Sequence, residues 1–178
     1  MADFNVSAKI TLPLEGGYSD NPDDLGGPTK YGITQAEARE WGYQGDMRDL
    51  PLDTALAIFK KNYWDVNNLD NCPSQKLANK LFDAGVNCGI EEAAIWLQRS
   101  LNAMDRNNLD WKDLTIDGNI GPNTLNVINK ALSLRREDIL IECINIQQGN
   151  FYIQDALNHP TQKTFLNGWI RNRIESFN

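Results

Sequence analysis

Residues 14–34 read LEGGYSDNPDDLGGPTKYGIT, and the rest of the chain is organised around this stretch. Glycine pairs stand at positions 16–17 and 26–27, and Pro22 and Pro28 lie between and after them. A packed helix or a central strand does not tolerate glycine and proline at this density. The stretch therefore predicts an irregular loop at the surface. Loops that carry acidic residues on a rigid scaffold are frequent sites of chemistry.

Glu15 is the first acidic residue of this stretch. It follows an apolar segment, residues 4–12, whose spacing predicts a helix, and the next two glycines can supply the positive φ angles that end helices. A carboxylate at a helix C-terminus faces the negative end of the helix dipole, which disfavours its ionisation. Desolvation by an aromatic ring would raise its pKa further. This position favours Glu15 as a general acid that works near neutral pH.

Length and charge exclude several classes of protein. The chain has 178 residues, enough for one ordinary domain or for two small lobes that share a core. Its 17 Lys and Arg and 24 Asp and Glu give a net charge of −7, which disfavours nucleic-acid binding through a basic face. The N-terminal sequence MADFNV lacks the basic region and apolar core of a signal peptide. We therefore expect synthesis in the cytoplasm and export by a separate device.

Few metal-ligating residues are present. The 3 cysteines show no CxxC spacing, and the single histidine, His159, stands in a turn-like Asn-His-Pro-Thr context. A zinc peptidase or amidase usually needs two or more His ligands. Residues 113–118 resemble the start of an EF-hand loop, but its last ligand position falls on Thr124 instead of glutamate. We expect no metal and no cofactor, which leaves chemistry carried by carboxylates.

Outside the loop the sequence predicts helices. Thr34 and Glu37 fit a capping box that starts a short helix ending near Trp41. Apolar residues recur at helical spacing in further segments, at residues 52–64, 77–86, 90–101, 125–132 and 138–155. The predicted fold class is mainly α, with at most a small β-hairpin between Tyr18 and Ile33.

Aromatic rings beside irregular segments are candidates for stacking on sugars. Most aromatic residues at helical spacing belong to the core. Tyr18, Tyr31 and Trp64 lie in or next to irregular segments instead. We therefore predict that these three residues bind the substrate.

Several motifs resemble those of one known family. Residues 15–18 (EGGY) and 21–34 (NPDDLGGPTKYGIT) resemble the signature of glycoside hydrolase family 108. Further similarities follow at residues 63–64, 77–89 and 94–98. Residues 117–124 (DGNIGPNT) resemble the predicted peptidoglycan-binding half of these proteins, and residues 165–173 (FLNGWIRNR) resemble its C-terminal Gly-Trp pattern. The resemblance covers nearly the whole chain.

The family resemblance implies a fold and an activity. Its members are N-acetylmuramidases that look like lysozymes, among them phage endolysins and proteins that help secretion across the wall. It implies a lysozyme-like catalytic region at residues 1–101 and a helical, peptidoglycan-binding region at 102–178 packed on the first. It also implies Glu15 as the catalytic acid, with Asn87, in a shared motif, as a candidate substrate-binding residue. Relatives often have His before the glutamate, where this chain has Leu14.

A second group must stand opposite the acid, because hydrolysis passes through an oxocarbenium-like state. Asp24 lies nine residues after Glu15, and Thr29 lies five after Asp24, close to the Glu–Asp–Thr spacing of phage lysozymes. Asp23 is a rival for Asp24 and a candidate substrate-binding residue. Both aspartates have an alternative role, which is to shape a turn next to Pro22. We predict a water held by Asp24 and Thr29, and hence inversion at the anomeric carbon.

Three functions stay open at this point. The first is a hydrolase that cuts the MurNAc–GlcNAc bond of peptidoglycan. The second is a wall-binding or secretion-accessory module without turnover, which has no chemical need for Glu15 and the residues opposite it. The third is a lytic transglycosylase, in which the 6-hydroxyl of the substrate closes the ring and no second carboxylate is needed. In each case the expected partner is peptidoglycan, reached through a holin-like pore or a secretion machine.

Overall fold

The computed structural model describes residues 1–14, 17–20 and 27–177. Its α-helices are α1 (Phe4–Thr11), α2 (Gln35–Glu40), α3 (Leu52–Phe59), α4 (Gln75–Cys88), α5 (Ile90–Met104), α6 (Pro122–Ser133), α7 (Glu137–Asn158) and α8 (Leu166–Trp169). Three short strands, β1 (Tyr18–Ser19), β2 (Thr29–Lys30) and β3 (Ile33–Thr34), form an antiparallel sheet in that order. The mainly α prediction is confirmed, and the sheet has a third strand beyond the predicted hairpin. Within the described ranges, no helix combines the length and the apolarity needed to cross a membrane.

The first helix is fixed at both ends by local sequence. The Asp3 side chain accepts a hydrogen bond from the Asn5 N–H and caps the N-terminus of α1. The helix ends at Thr11, and residues Leu12–Leu14 continue as a 3₁₀ turn that contains Pro13. Pro13 lacks a backbone N–H, which accounts for the change of helix type at this point.

The capping box predicted at α2 is present. The Thr34 hydroxyl accepts from the Glu37 N–H at 3.3 Å, and the Glu37 carboxylate accepts from the Thr34 N–H at 3.0 Å. The same carboxylate also accepts a hydrogen bond of 2.8 Å from the hydroxyl of Tyr63. Glu37 therefore joins α2 to the helical segment that follows α3.

Helix α4 lies at the centre of the molecule and packs against α1, α5 and α7. The rings of Phe4, Trp64 and Phe82 meet edge to face around it, with centroids 5.6–5.7 Å apart. The cluster of buried apolar residues continues without a break from Ala2 to Ile144. The two sequence halves therefore share one core.

A buried polar network ties the C-terminus to α4. After α8 the chain continues as a π-helical segment, Ile170–Ile174, whose Arg173 is 5% exposed and pairs with Asp83 at 2.5 Å. Lys80 donates to the Gln148 side chain and, at 2.9 Å, to the carbonyl oxygen of Arg173. Burial lowers the pKa of Lys80 to about 8.

Candidate active site

Three of the predicted site residues, Glu15, Asp23 and Asp24, lie outside the described residues. Their neighbours along the chain are described. The 3₁₀ turn Leu12–Leu14 directly precedes Glu15, and β1 and β2 stand on either side of the segment that contains the two aspartates. The roles predicted for these three residues stay predictions.

Thr29 lies in the central strand of the small sheet. It stands opposite Ser19 of β1 and Thr34 of β3. Its side chain is half-buried, and the hydroxyl donates to the Gly27 carbonyl oxygen at 3.1 Å. A hydroxyl that donates once keeps its acceptor capacity, so Thr29 can still accept a hydrogen bond from a water.

Tyr18 of β1 presents a ring at the surface beside this sheet. It is 37% exposed, and its hydroxyl donates to the Asp20 carboxylate at 3.1 Å. The Arg48 guanidinium lies 5.2 Å from the ring centroid. Partial desolvation, followed by the bond to Asp20, raises the pKa of the Tyr18 phenol. The position is compatible with the predicted contact to a sugar.

A cleft of about 320 Å³ opens next to Tyr18, between the sheet and residues 44–48. Arg39 in its wall donates to the carbonyl oxygens of Tyr43 and Gly45, at 2.7 and 2.9 Å, and holds this connection in place. Arg48 and Asp46 add a donor and an acceptor suited to sugar hydroxyls. Sequence reasoning missed both, since the stretch from Asp46 to Pro51 shows only the pattern of a connection.

Tyr31 occupies the tight turn between β2 and β3. Its φ is +54° and that of Gly32 is +79°, the pair of left-handed conformations that a two-residue type I′ hairpin turn requires. The ring is half-buried against the core, and Lys30 Nζ lies 5.1 Å from its centroid. Tyr31 therefore has a structural role, and its contact with substrate stays a prediction.

Trp64 is a core residue. Its exposed fraction is 0%, its indole N–H donates to the Asp70 carboxylate at 2.6 Å, and its ring packs against Phe4 and Phe82. A sugar cannot stack on a ring that is covered in this way. The structure thus corrects the expectation that Trp64 binds substrate, since helical packing brings it inward from the irregular segment that follows.

Asn87 lies in the last turn of α4 and is half-buried. Its side-chain oxygen accepts hydrogen bonds from the Tyr152 hydroxyl and, at 3.4 Å, from the Cys88 thiol. This oxygen joins α4 to α7. A further contact of Asn87 with substrate stays a prediction.

Candidate metal ligands are sparse in the described part of the chain. No group of three or more His, Cys, Asp and Glu side chains there is placed to hold a metal ion. His159 follows α7 and its ring nitrogen lies 2.8 Å from the Asp155 carboxylate. The Asp117 carboxylate, in the segment with the EF-hand-like start, bonds to the Gln98 side chain and the Asn119 N–H.

Two family models match the chain one after the other. Residues 8–89 match the model of glycosyl hydrolase 108. The N-terminal half of the chain belongs to glycosyl hydrolase family 108. Residues 92–174 match a model described as a predicted peptidoglycan domain. The two matched ranges meet at residues 89–92, whereas our predicted boundary at residues 101–102 stays a prediction.

A solved structure shares this architecture. The structure of Brucella abortus SagA is 25% identical to this family 108 chain, with a TM-score of 0.68. The match covers 98% of this chain and 90% of that chain. The comparison with curated proteins finds no match.

Membership of family 108 establishes the general activity. It is a family of peptidoglycan hydrolases, and here its domain is followed by a peptidoglycan-binding domain. Glycoside hydrolysis is thus the class of chemistry, and peptidoglycan is the substrate. The site of action is the cell wall.

Proposed function

We propose that the protein is an N-acetylmuramidase that cleaves the β-1,4 bond between MurNAc and GlcNAc, with Glu15 as its general acid. One observation carries this proposal. The range that matches the glycosyl hydrolase model contains the EGGY motif, and its glutamate directly follows the exit turn of α1. Hydrolysis of a glycosidic bond requires a carboxylic acid that donates its proton to the glycosidic oxygen, and a glutamate can supply it.

The proposed mechanism is a single displacement. Glu15 donates its proton to the glycosidic oxygen as the bond to the anomeric carbon breaks. A water held by Asp24 and Thr29 attacks that carbon from the opposite face and gives up a proton to Asp24. The product is the inverted sugar. The fixed place of Thr29 in the central strand supports its role in positioning this water.

The test of Glu15 is a substitution that keeps its shape. Glu15→Gln removes the proton donor, so the rate of cell-wall clearing should fall by roughly 10²-fold or more. Glu40→Gln is the matched control, because Glu40 is an exposed carboxylate at the end of α2 in the same half of the chain. Clearing by Glu15→Gln at the parental rate would contradict the assignment.

The protein needs a route to its substrate. Peptidoglycan lies outside the cytoplasmic membrane, so a protein made in the cytoplasm must cross that membrane to reach it. We assign the crossing to a holin-like pore or a secretion machine. Expression in a Gram-negative host should cause lysis only when a holin is co-expressed, and lysis without one would show another route.

A further inference from the structure

The longest helix in the described part of the chain, α7, carries an apolar stripe on its outer side. It spans 22 residues. One side of α7 faces the core and carries the buried residues Leu140, Ile141, Ile144, Asn145, Gln148, Tyr152 and Ala156. At 3.6 residues per turn, the opposite side carries Ile139, Cys143, Ile146, Asn150, Ile153 and Leu157. We call these six residues the α7 stripe.

The four aliphatic members of the α7 stripe are largely open to solvent. The exposed fraction is 58% for Ile139, 63% for Ile146, 46% for Ile153 and 62% for Leu157. Single aliphatic residues scattered over a surface are normal. Four of them in one line along a helix indicate a surface that another molecule covers.

The spacing of the stripe indicates that its partner is a helix. Successive members are separated by 4, 3, 4, 3 and 4 positions, which is the a/d pattern of a coiled coil. Side chains at this spacing pack between those of a second helix with the same spacing. From residue 139 to residue 157 the stripe extends over about 27 Å, at a rise of about 1.5 Å per residue. A groove of about 660 Å³ beside its N-terminal part leaves room for the side chains of that helix.

The charge distribution allows two copies of this chain to meet at the stripe. Each copy has a net charge of −7, so two copies repel each other over most of their surface. None of the six members of the stripe is charged. At its edges, Glu142 would lie across from Gln147 of a second, parallel copy. No like charges therefore face each other along this seam.

Asn150 selects the parallel arrangement of the two helices. In a parallel pair like positions face each other, so the amide of Asn150 can both donate to and accept from the same amide of the second copy. In an antiparallel pair with all six layers aligned, Asn150 would face Ile146, and its amide would lose water without gaining a partner. A single asparagine at such a position is a known device that fixes register.

We propose that the α7 stripe is a dimer interface, in which α7 of one copy packs parallel to α7 of a second copy around a two-fold axis. Each helix is already held in its own fold by α4 and α5, so pairing carries no cost of ordering a helix. The interface is short, and association should therefore be weak, in the micromolar range. The stripe lies within the range that matches the peptidoglycan domain, so a dimer presents two such domains to one polymer.

The first experiment is sedimentation velocity of the full chain over a range of protein concentrations. We expect an equilibrium between monomer and dimer. Ile146→Lys places two ammonium groups opposite each other in the middle of the seam, so dimerisation should weaken by about tenfold or more. Leu109→Lys is the matched control, because Leu109 is a 78% exposed aliphatic residue outside α7, and it should dimerise like the parent. Both substituted residues are exposed in the monomer, so circular dichroism should show the parental fold.

The second experiment tests the parallel arrangement through Cys143. In a parallel pair the two Cys143 thiols face each other, so oxidation with copper–phenanthroline should link the two chains through a disulfide. Cys143→Ser should abolish the link and leave the dimer seen by sedimentation unchanged. Ile146→Lys should lose both the dimer and the link.

Three results would overturn the inference. They are a monomer at every concentration up to about 1 mM, equal dimerisation by the parent and Ile146→Lys, and a dimer in which Cys143 does not cross-link. Dimerisation is measured without substrate. Its outcome is therefore independent of whether Glu15 acts as the catalytic acid.

Discussion

Trp64 and Tyr18 show that position in the fold, and not residue type, decides whether an aromatic side chain can meet a substrate. Trp64 precedes an irregular segment, yet its ring lies in the core and its N–H bonds to Asp70. Tyr18 lies on a two-residue strand, and its ring stays partly exposed beside a cleft. The two residues therefore give opposite expectations for mutation.

Trp64→Phe should affect stability and leave substrate affinity unchanged. The change leaves a void and removes the hydrogen bond to Asp70, so the free energy of unfolding should fall by about 1–3 kcal/mol. Tyr18→Ala should instead raise the KM for the wall and leave the free energy of unfolding nearly unchanged. Urea unfolding and wall-hydrolysis kinetics of both variants check this. A raised KM in Trp64→Phe at parental stability would contradict the assignment of Trp64 to the core.

Asp24 and Thr29 should both be needed for turnover. Asp24→Ala and Thr29→Ala remove the groups that we propose to hold the attacking water, so kcat should fall by about tenfold or more in each. Ser19→Ala is the control for Thr29, because Ser19 is the exposed hydroxyl directly opposite it on β1. If both variants are as active as Ser19→Ala and the parent, Asp24 and Thr29 take no part in the mechanism.

The sequence carries only those signals that are local. The EGGY motif singles out Glu15, and the capping box at Thr34 is a pattern of four adjacent residues that the structure confirms. The burial of Trp64 depends on Phe4 and Phe82, which lie 60 and 18 positions away in the sequence. No local pattern reports such contacts.

Among the helices, α5 holds the end of the loop of residues 111–119 through Gln98. Gln98→Leu keeps similar bulk but leaves the N–H groups of Asp117 and Gly118 without their acceptor, so the free energy of unfolding should fall by about 2–4 kcal/mol. Amide exchange in the loop should accelerate at the same time. Gln154→Leu, on the exposed face of α7, is the control and should behave like the parent. Unchanged exchange in the loop would show that Gln98 does not hold it.

Asp110 directly precedes this loop and links it to the start of α7. Its carboxylate bonds to Arg106 at 2.7 Å and to Arg136 at 2.9 Å, and these two bonds, that of Arg106 first, lower the pKa of Asp110 to about 2. Because the pKa is lower in the folded state, the stabilisation is present above the unfolded pKa of about 4 and is lost as the pH falls towards 2. The stability difference between the parent and Asp110→Asn should therefore shrink over this range. A difference independent of pH between 5 and 2 would contradict the ion pairs.

Helices were easier to predict than the sheet, for a physical reason. The apolar period of α4, α5 and α7 repeats over several turns, whereas each strand has two residues and carries no period. The turn between β2 and β3 uses Tyr31 where Asn or Asp is the usual signal. The third strand therefore had no recognisable signature.

At the scale of the whole molecule, the shared core and the buried pair of Asp83 and Arg173 predict a single cooperative unit. Calorimetry should show one unfolding transition. Arg173→Met removes the cation that pairs with this buried carboxylate and should lower the free energy of unfolding by about 3–5 kcal/mol. Adding Asp83→Asn to this variant should recover part of the lost free energy of unfolding. Two separated transitions in the parent would show that the halves fold independently.

We propose above that the protein hydrolyses the glycan strand at MurNAc with Glu15 as the acid. The most direct measurement is mass spectrometry of the muropeptides released from purified sacculi by the parent and by Glu15→Gln. We predict fragments with a reducing MurNAc end from the parent and almost none from Glu15→Gln. Release of 1,6-anhydro products by the parent, or the same fragments from both proteins, would contradict the account.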